Sequence, residues 1–246
     1  MAIKLNIYSL SAIILIGILS FSNTFCSQAD SNINSDEIFE KAKKFRGVEF
    51  LNLYSDIGVN GKIIEKNGNL NELNYFFLKP DKHRLRLHLG NFMINITLSN
   101  DAGWAKLPGM PTIPIDDISR HNMESVSLAF FPKIFVMQDR DSMFYSGIEK
   151  ISGIGCFKFV LIDKKGIYHD FFFAENDFRL VKYLTMKEMN LEPLLFEAYY
   201  DKYNDFNGVK FPTEIEVYSG DRELKFKIEN VNYNIGLTES DFGKPN

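Results

Sequence analysis

The sequence predicts an α+β protein: one long antiparallel meander of about ten strands, with helices gathered in two places. Three observations carry this. Residues 35–45 space their apolar side chains as a helix does. After that the apolar period falls from 3.6 to 2. A proline-rich stretch and a second helical patch then interrupt the alternation before it resumes. The 246 residues are 45% hydrophobic and include 23 Phe, which suits a large greasy core, with some left over for a cavity wall. The formal charge of −4 is mixed along the chain, so the basic footprint of a nucleic-acid binder is absent.

The first 29 residues read as a secretory signal peptide. Lys4 supplies the positive start, Leu10 to Leu19 the apolar centre, and Ser27-Gln28-Ala29 small residues at the cleavage site. Two alternatives stay open. One is a lipoprotein with Cys26 lipidated, against which Phe25 stands where a small residue is wanted. The other is a retained anchor, for which the apolar stretch is short of a span of about 20 residues. Cleavage after Ala29 removes Cys26 and leaves Cys156 as the lone cysteine, so no disulfide staples the monomer. Cys156 sits in an apolar run and is expected to be a buried core residue. Residues 30–246 then form a single domain.

Asn34 looks like a helix N-cap with Glu37 three residues on, and Ile38, Phe39, Ala42 and Phe45 form an apolar stripe that Gly47 ends. Val48 to Tyr54, Lys62 to Lys66 and Asn74 to Lys79 are strand candidates. Arg84 to Leu89 and Ile94 to Ser99 alternate cleanly around the Gly90-Asn91 turn, predicting a hairpin with one wet and one apolar face. Pro108 to Pro114 reads as irregular loop. Asp116 to Met123 and Val126 to Phe131 read as two short helices, the second ended by Pro132. Phe157 to Ile162, Ile167 to Phe173, Leu180 to Met186, Leu194 to Tyr200, Phe211 to Val217 and Leu224 to Ile228 complete the meander.

Catalytic patterns are missing. There is no G-x-S-x-G, P-loop, H-E-x-x-H or C-x-x-C. The four histidines (His83, His88, His121, His169) are scattered; His83 and His88, five apart near one strand, point to opposite faces, which argues against a shared metal. Asp116-Asp117 suits a helix start better than an acid–base pair. Asn95-Ile-Thr97 matches a glycosylation sequon, which is discounted as a weak pattern. Gly153-Ile-Gly155 lacks the strand–turn–helix setting of a phosphate loop and reads as a turn. No cofactor is implied.

Four stretches carry a family resemblance: helix 35–45 followed by a Gly-started strand; Phe76-Phe-Leu-Lys-Pro80-Asp-Lys-His-Arg84; Asn100-Asp-Ala-Gly-Trp104; and, at the end, Asn207-Gly-Val-Lys-Phe-Pro212 with Leu237 to Pro245. In order and spacing the chain resembles the bacterial outer-membrane lipoprotein carrier and lipoprotein-sorting proteins, the LolA/LolB-like family, over nearly all of residues 35–245. The resemblance implies an open half-barrel of antiparallel strands, a helical lid over its concave face, and a cavity between them for acyl chains of lipoproteins or lipids in the periplasm. In the carrier, an Arg just before the hairpin Pro is linked to lid movement; Lys79 stands there in this chain and lacks the planar fork of Arg. Leu85, Leu87, Leu89, Ile94, Ile96 and Leu98 are the expected ligand-facing residues, with Trp104 as hinge anchor or cavity wall and Met110 as a mobile contact. Each also has a plainer reading as core packing.

Three functions stay open at this point. The first is an exported carrier or sensor that shields acyl chains. The second is an envelope interaction module of the same fold with a protein partner and no transport role, as in the anti-sigma-factor regulators that share the half-barrel. The third is a hydrolase whose groups only strand register would bring together.

Overall fold

The computed structural model describes residues 34–65, 68–99, 102–132, 143–163, 166–189, 192–220 and 222–244. The expected signal peptide, Cys26 included, lies outside them. Ser35–Arg46 is the first helix, α1. Its stripe of Ile38, Phe39, Ala42 and Arg46 is buried, and its ends match the helix dipole, with Asp36 and Glu37 first and Lys43 and Lys44 last. Gly47 ends it in the left-handed region (φ 73°). A side chain could not stand there, because a Cβ would lie 2.1 Å from the Gly208 carbonyl oxygen.

The expected strand Val48 to Tyr54 is instead a short helix, α2 (Val48–Leu51). Apolar residues at 48, 50, 51 and 53 fit either period. The buried pair, Val48 and Leu51, is three apart, and Leu53 is exposed. The strand reading counted apolar residues without knowing which of them had a neighbour to bury against.

Among the described residues thirteen strands follow rather than about ten: β1 (Asp56–Ile64), β2 (Leu70–Leu78), β3 (Lys82–Leu89), β4 (Phe92–Ser99), β5 (Ala102–Lys106), β6 (Ile113–Pro114), β7 (Met143–Ile151), β8 (Ile154–Ile162), β9 (Tyr168–Ala174), β10 (Leu180–Met189), β11 (Glu192–Phe206), β12 (Val209–Ser219) and β13 (Arg222–Tyr233). β5, β6 and β7 were not foreseen. Gly103 and Gly147 blur the alternation of β5 and β7, and Pro114 is tolerated in β6 because that strand is the sheet edge. Between β6 and β7 the two expected helices are one, α3 (Asp117–Phe130). It is capped by the Asp116 carboxylate, which accepts the Ser119 N–H at 2.7 Å and is held below the usual carboxylate range by that bond.

All thirteen strands form one open antiparallel sheet in the order β6-β5-β4-β3-β2-β1-β13-β12-β11-β10-β9-β8-β7. Two meanders, β1–β6 and β7–β13, are thus stitched by one pairing, β1 with β13. A bulge at Asn60/Gly61 marks that seam. Register puts apolar side chains in rows across one face: Val59, Tyr75, Leu85 and Ile96 in the first meander, and Phe159, Phe171, Tyr183, Ala198 and Val217 in the second. The opposite face carries Lys158, Phe172, Lys182, Tyr199, Glu216 and Lys225 in one such row, tied by ion pairs such as Lys182–Glu197 and Lys225–Glu216. Cys156 is fully buried there against Phe172, Ala174 and Val181, as expected of a core residue.

Both longer helices lie on the apolar face. Phe39 of α1 reaches Phe159, and Phe130 of α3 packs on Tyr75, Phe211 and Phe226 at 5.0, 6.5 and 5.2 Å between ring centres. Phe131 stacks on Phe77 at 5.3 Å. At about 0.5–1.5 kcal/mol per aromatic pair beyond area burial, this seam is a principal source of stability.

The candidate site: an aromatic seam under two helices

Of the expected ligand-facing residues, register brings most together. Leu85 pairs with Ile96, Leu87 with Ile94, and Leu98 with His83, all on the helix-covered face. Leu85 and Leu98 are buried there; Leu87, Ile94 and Ile96 are half-buried. Leu89 pairs with Phe92 at the end of β3.

Trp104 is placed elsewhere. It pairs with Thr97, which pairs with Arg84, so it belongs to the opposite face. Strand period is 2, and Trp104 is out of phase with Gly103 and Ala105, which pair with Leu98 and Ile96. On that opposite face the C-terminal 3-10 turn Glu239–Phe242 returns to the sheet. Phe242 is fully buried under the Arg84 guanidinium, Asp241 is 3.6 Å from Arg84, and Glu239 is 3.0 Å from Lys82. That explains the Phe242 of the C-terminal motif. Met110 lies in an exposed turn between β5 and β6, away from the seam.

Lys79 does hold a helix. Its ammonium donates to the Leu51 carbonyl at 2.9 Å and the Asn52 carbonyl at 3.5 Å, gripping the C-terminal end of α2. Partial burial lowers its pKa. The sequence reading missed a second fastening. Arg46 is 4% exposed, donates to the Lys210 carbonyl at 2.7 Å and the Phe130 carbonyl at 3.3 Å, and lies over the Phe211 ring. One guanidinium therefore ties α1, α3 and β12 together. A signal was present: Arg46 is four residues after Ala42 and seven after Phe39, in phase with the apolar stripe.

Each meander also buries a tyrosine against a histidine on the apolar face. Tyr75 Oη is 2.6 Å from His83 Nδ1, and Tyr183 Oη is 2.8 Å from His169 Nδ1. Burial drives both phenols well above their ordinary pKa and pushes His83 down to about 4. Both phenols stay protonated, and His83 is neutral at neutral pH. Asp163 Oδ2 stands 3.4 Å from His169 Nε2 and its Oδ1 accepts the Ile167 N–H at 2.9 Å. This Tyr–His–Asp string is closed to solvent, with His169 2% exposed, so it orders the β8–β9 turn instead of facing a cleft.

Under α1 the seam is nearly filled. The space under α1, bounded by Ala42, Phe45, Arg46, Phe130, Tyr200 and Tyr203, amounts to about 10 Å³. A larger open groove of about 600 Å³ lies over the second meander, and three of its carboxylates, Glu197, Glu214 and Glu216, are each held by a lysine. Among the described residues no group of three or more His, Cys, Asp or Glu could hold a metal, and no helix is long and apolar enough to cross a membrane.

The architecture matches solved structures. A LolA superfamily protein from Nitrosomonas europaea superposes with a TM-score of 0.54 at 14% identity, covering 86% of this chain and 98% of that one. The chain has a LolA-like fold. An outer membrane lipoprotein-sorting protein domain from Vibrio parahaemolyticus gives 0.51 at 12% identity over 83% of this chain and 97% of that one. A DUF1329 family protein from Desulfovibrio piger gives 0.52 at 13% identity over 85% and 96%. No family model matches the sequence, and no curated protein matches it. The LolA-like likeness is thus one of fold, carried by the sheet order and the helices on its apolar face.

Proposed function

We propose that this protein is an exported binding protein that shields acyl chains of lipoproteins or lipids in the periplasm. In this reading residues 1–29 are the export signal and residues 30–246 one half-barrel domain whose helices act as a lid. The observation that carries it is the seam: an apolar sheet face covered by apolar helix faces, with the helices fastened through Lys79 and Arg46 to backbone carbonyls. Such fastenings release without stranding a buried carboxylate. An acyl chain offers the seam the same currency as its own phenyl rings, about 0.8 kcal/mol per buried CH₂. A ligand can then replace lid contacts at little net change, which suits binding followed by release. Leu85, Leu87, Leu89, Ile94, Ile96 and Leu98 would line the opened space. A protein of the envelope is the partner expected to give or receive the ligand, and no catalytic group or cofactor takes part.

The test is displacement of a fluorescent fatty acid from the purified protein, with lipid mass spectrometry of protein taken directly from the envelope. Displacement by long-chain amphiphiles and a co-purifying lipid are expected. Neither being seen would overturn the reading. The filled seam favours one second reading, an interaction module of the same fold. For that, a co-purifying protein partner without lipid is the diagnostic result.

A further inference from the structure

Arg46 is a buried cation with no counter-ion among the described residues. Its hydrogen bonds go to two neutral carbonyls, of Lys210 and Phe130, and its Nε has no partner. The titratable groups around it are the phenols of Tyr200, Tyr203 and Tyr233, all kept protonated and so uncharged by burial. The Tyr200 hydroxyl is also buried without a partner, and Tyr200 lines the same small space as Arg46, under α1. Two buried donors left open at one point are rare in folded proteins, and each such group calls for an explanation. A guanidinium among neutral acceptors has not met its best partner: a carboxylate or phosphate takes its planar fork through two parallel charge-assisted bonds.

We infer that Arg46 and Tyr200 form an anion-receiving site for the head of an amphiphile, a carboxylate or phosphate carried on an acyl chain. This rests on the acyl-binding function proposed above and adds which end of the ligand is read and where. In the closed state the space holds about one water, and the Phe130 carbonyl occupies part of the guanidinium. The anion takes that place. Arg46 exchanges the α3 carbonyl for the ligand's oxygens, so head-group capture and release of α3 from α1 are the same event. Ligand without an anionic head leaves the fastening intact. The site therefore selects charged amphiphiles over neutral ones of equal chain length.

The experiment measures displacement of a fluorescent fatty acid from the full mature chain by dodecanoate, dodecyl phosphate and dodecanol, at mildly alkaline pH. Wild type is expected to prefer the two anions over the alcohol by about tenfold or more. The two anions against each other separate a free fatty acid from a phosphate-headed lipid as the source. Arg46→Met keeps the apolar contacts, and is expected to abolish the preference for the anions over dodecanol. Tyr200→Phe removes only a hydroxyl, and is expected to weaken anion binding by a smaller factor, so the inference stays testable if Arg46→Met folds poorly. Equal affinity for anions and alcohol in wild type overturns the inference and leaves acyl binding standing. An unchanged preference in both variants does the same. Failure of all three amphiphiles to bind overturns the acyl-binding function and this inference with it.

Discussion

His83 faces Tyr75 at 2.6 Å and stacks on Phe77 at 5.0 Å between ring centres, inside the seam. Burial holds its pKa down to about 4, only partly opposed by Glu124, against about 6.5 in an unfolded chain. The unfolded state therefore binds more protons between these values. Stability contributed by neutral His83 is complete above about pH 6.5 and declines as the pH falls towards 4, by up to about 3 kcal/mol. Thermal melts across this window should show the fall, and His83→Gln, which can still accept from Tyr75, should flatten it. An equal slope in the variant would assign the acid sensitivity to other groups. At this scale the sequence showed that His83 and His88 point to opposite faces. It did not show that His83 meets a tyrosine eight residues away, because that contact depends on the length of the β2–β3 turn. Trp104 failed for a related reason: one position of strand phase moved it from the seam to the face under the C-terminal turn.

Among elements, α3 and the short α2 differ in how they are held. α3 is held by packing, through Phe130 and its three aromatic neighbours. α2, four residues long, cannot stabilise itself and depends on Lys79 gripping its last carbonyls. Lys79→Met should raise hydrogen exchange at the amides of residues 50–54, with a global loss of about 1 kcal/mol or less. Lys79→Arg, which can reach the same carbonyls, should leave exchange near wild type. Unchanged exchange in Lys79→Met would mean that packing of Val48 and Leu51 alone holds the segment. α1 was legible because its stripe is local and uninterrupted. α2 was misread as a strand because four residues cannot show a period, and β5 and β7 were hidden by glycines that carry no side chain to alternate.

For the whole molecule, the sheet is a single surface only because β1 pairs with β13. Gly61 sits at the bulge of that seam, where a Cβ would lie 2.3 Å from the Lys227 carbonyl oxygen. Gly61→Ala should therefore cost about 2 kcal/mol, within the usual range for overpacking. Because α3 packs across that pairing, on Tyr75 of β2 and on Phe211 and Phe226 of β12 and β13, the loss should appear as one cooperative transition shifted to lower denaturant. Separate melting of the two meanders, seen as two transitions by near-ultraviolet circular dichroism, would show that the halves are independent.

Read alone, the sequence determined the α+β class, the switch from helical to strand period, the two-faced strands and the first helix. Each is a local property, set by which side chains recur at 3.6 or 2 within a dozen residues. It also carried a resemblance to the LolA-like proteins in widely spaced motifs, one of which proved to be Phe242 returning to cover the sheet. Tertiary structure alone decided the rest. Strand register placed Trp104, the β1–β13 pairing joined two meanders into one sheet, and the packing of α1 and α3 on that sheet covered the seam. The same packing buried Arg46 with two carbonyls and no anion. These outcomes depend on residues far apart in the chain (46 with 130, 61 with 227), and no local period encodes which distant group a side chain will meet.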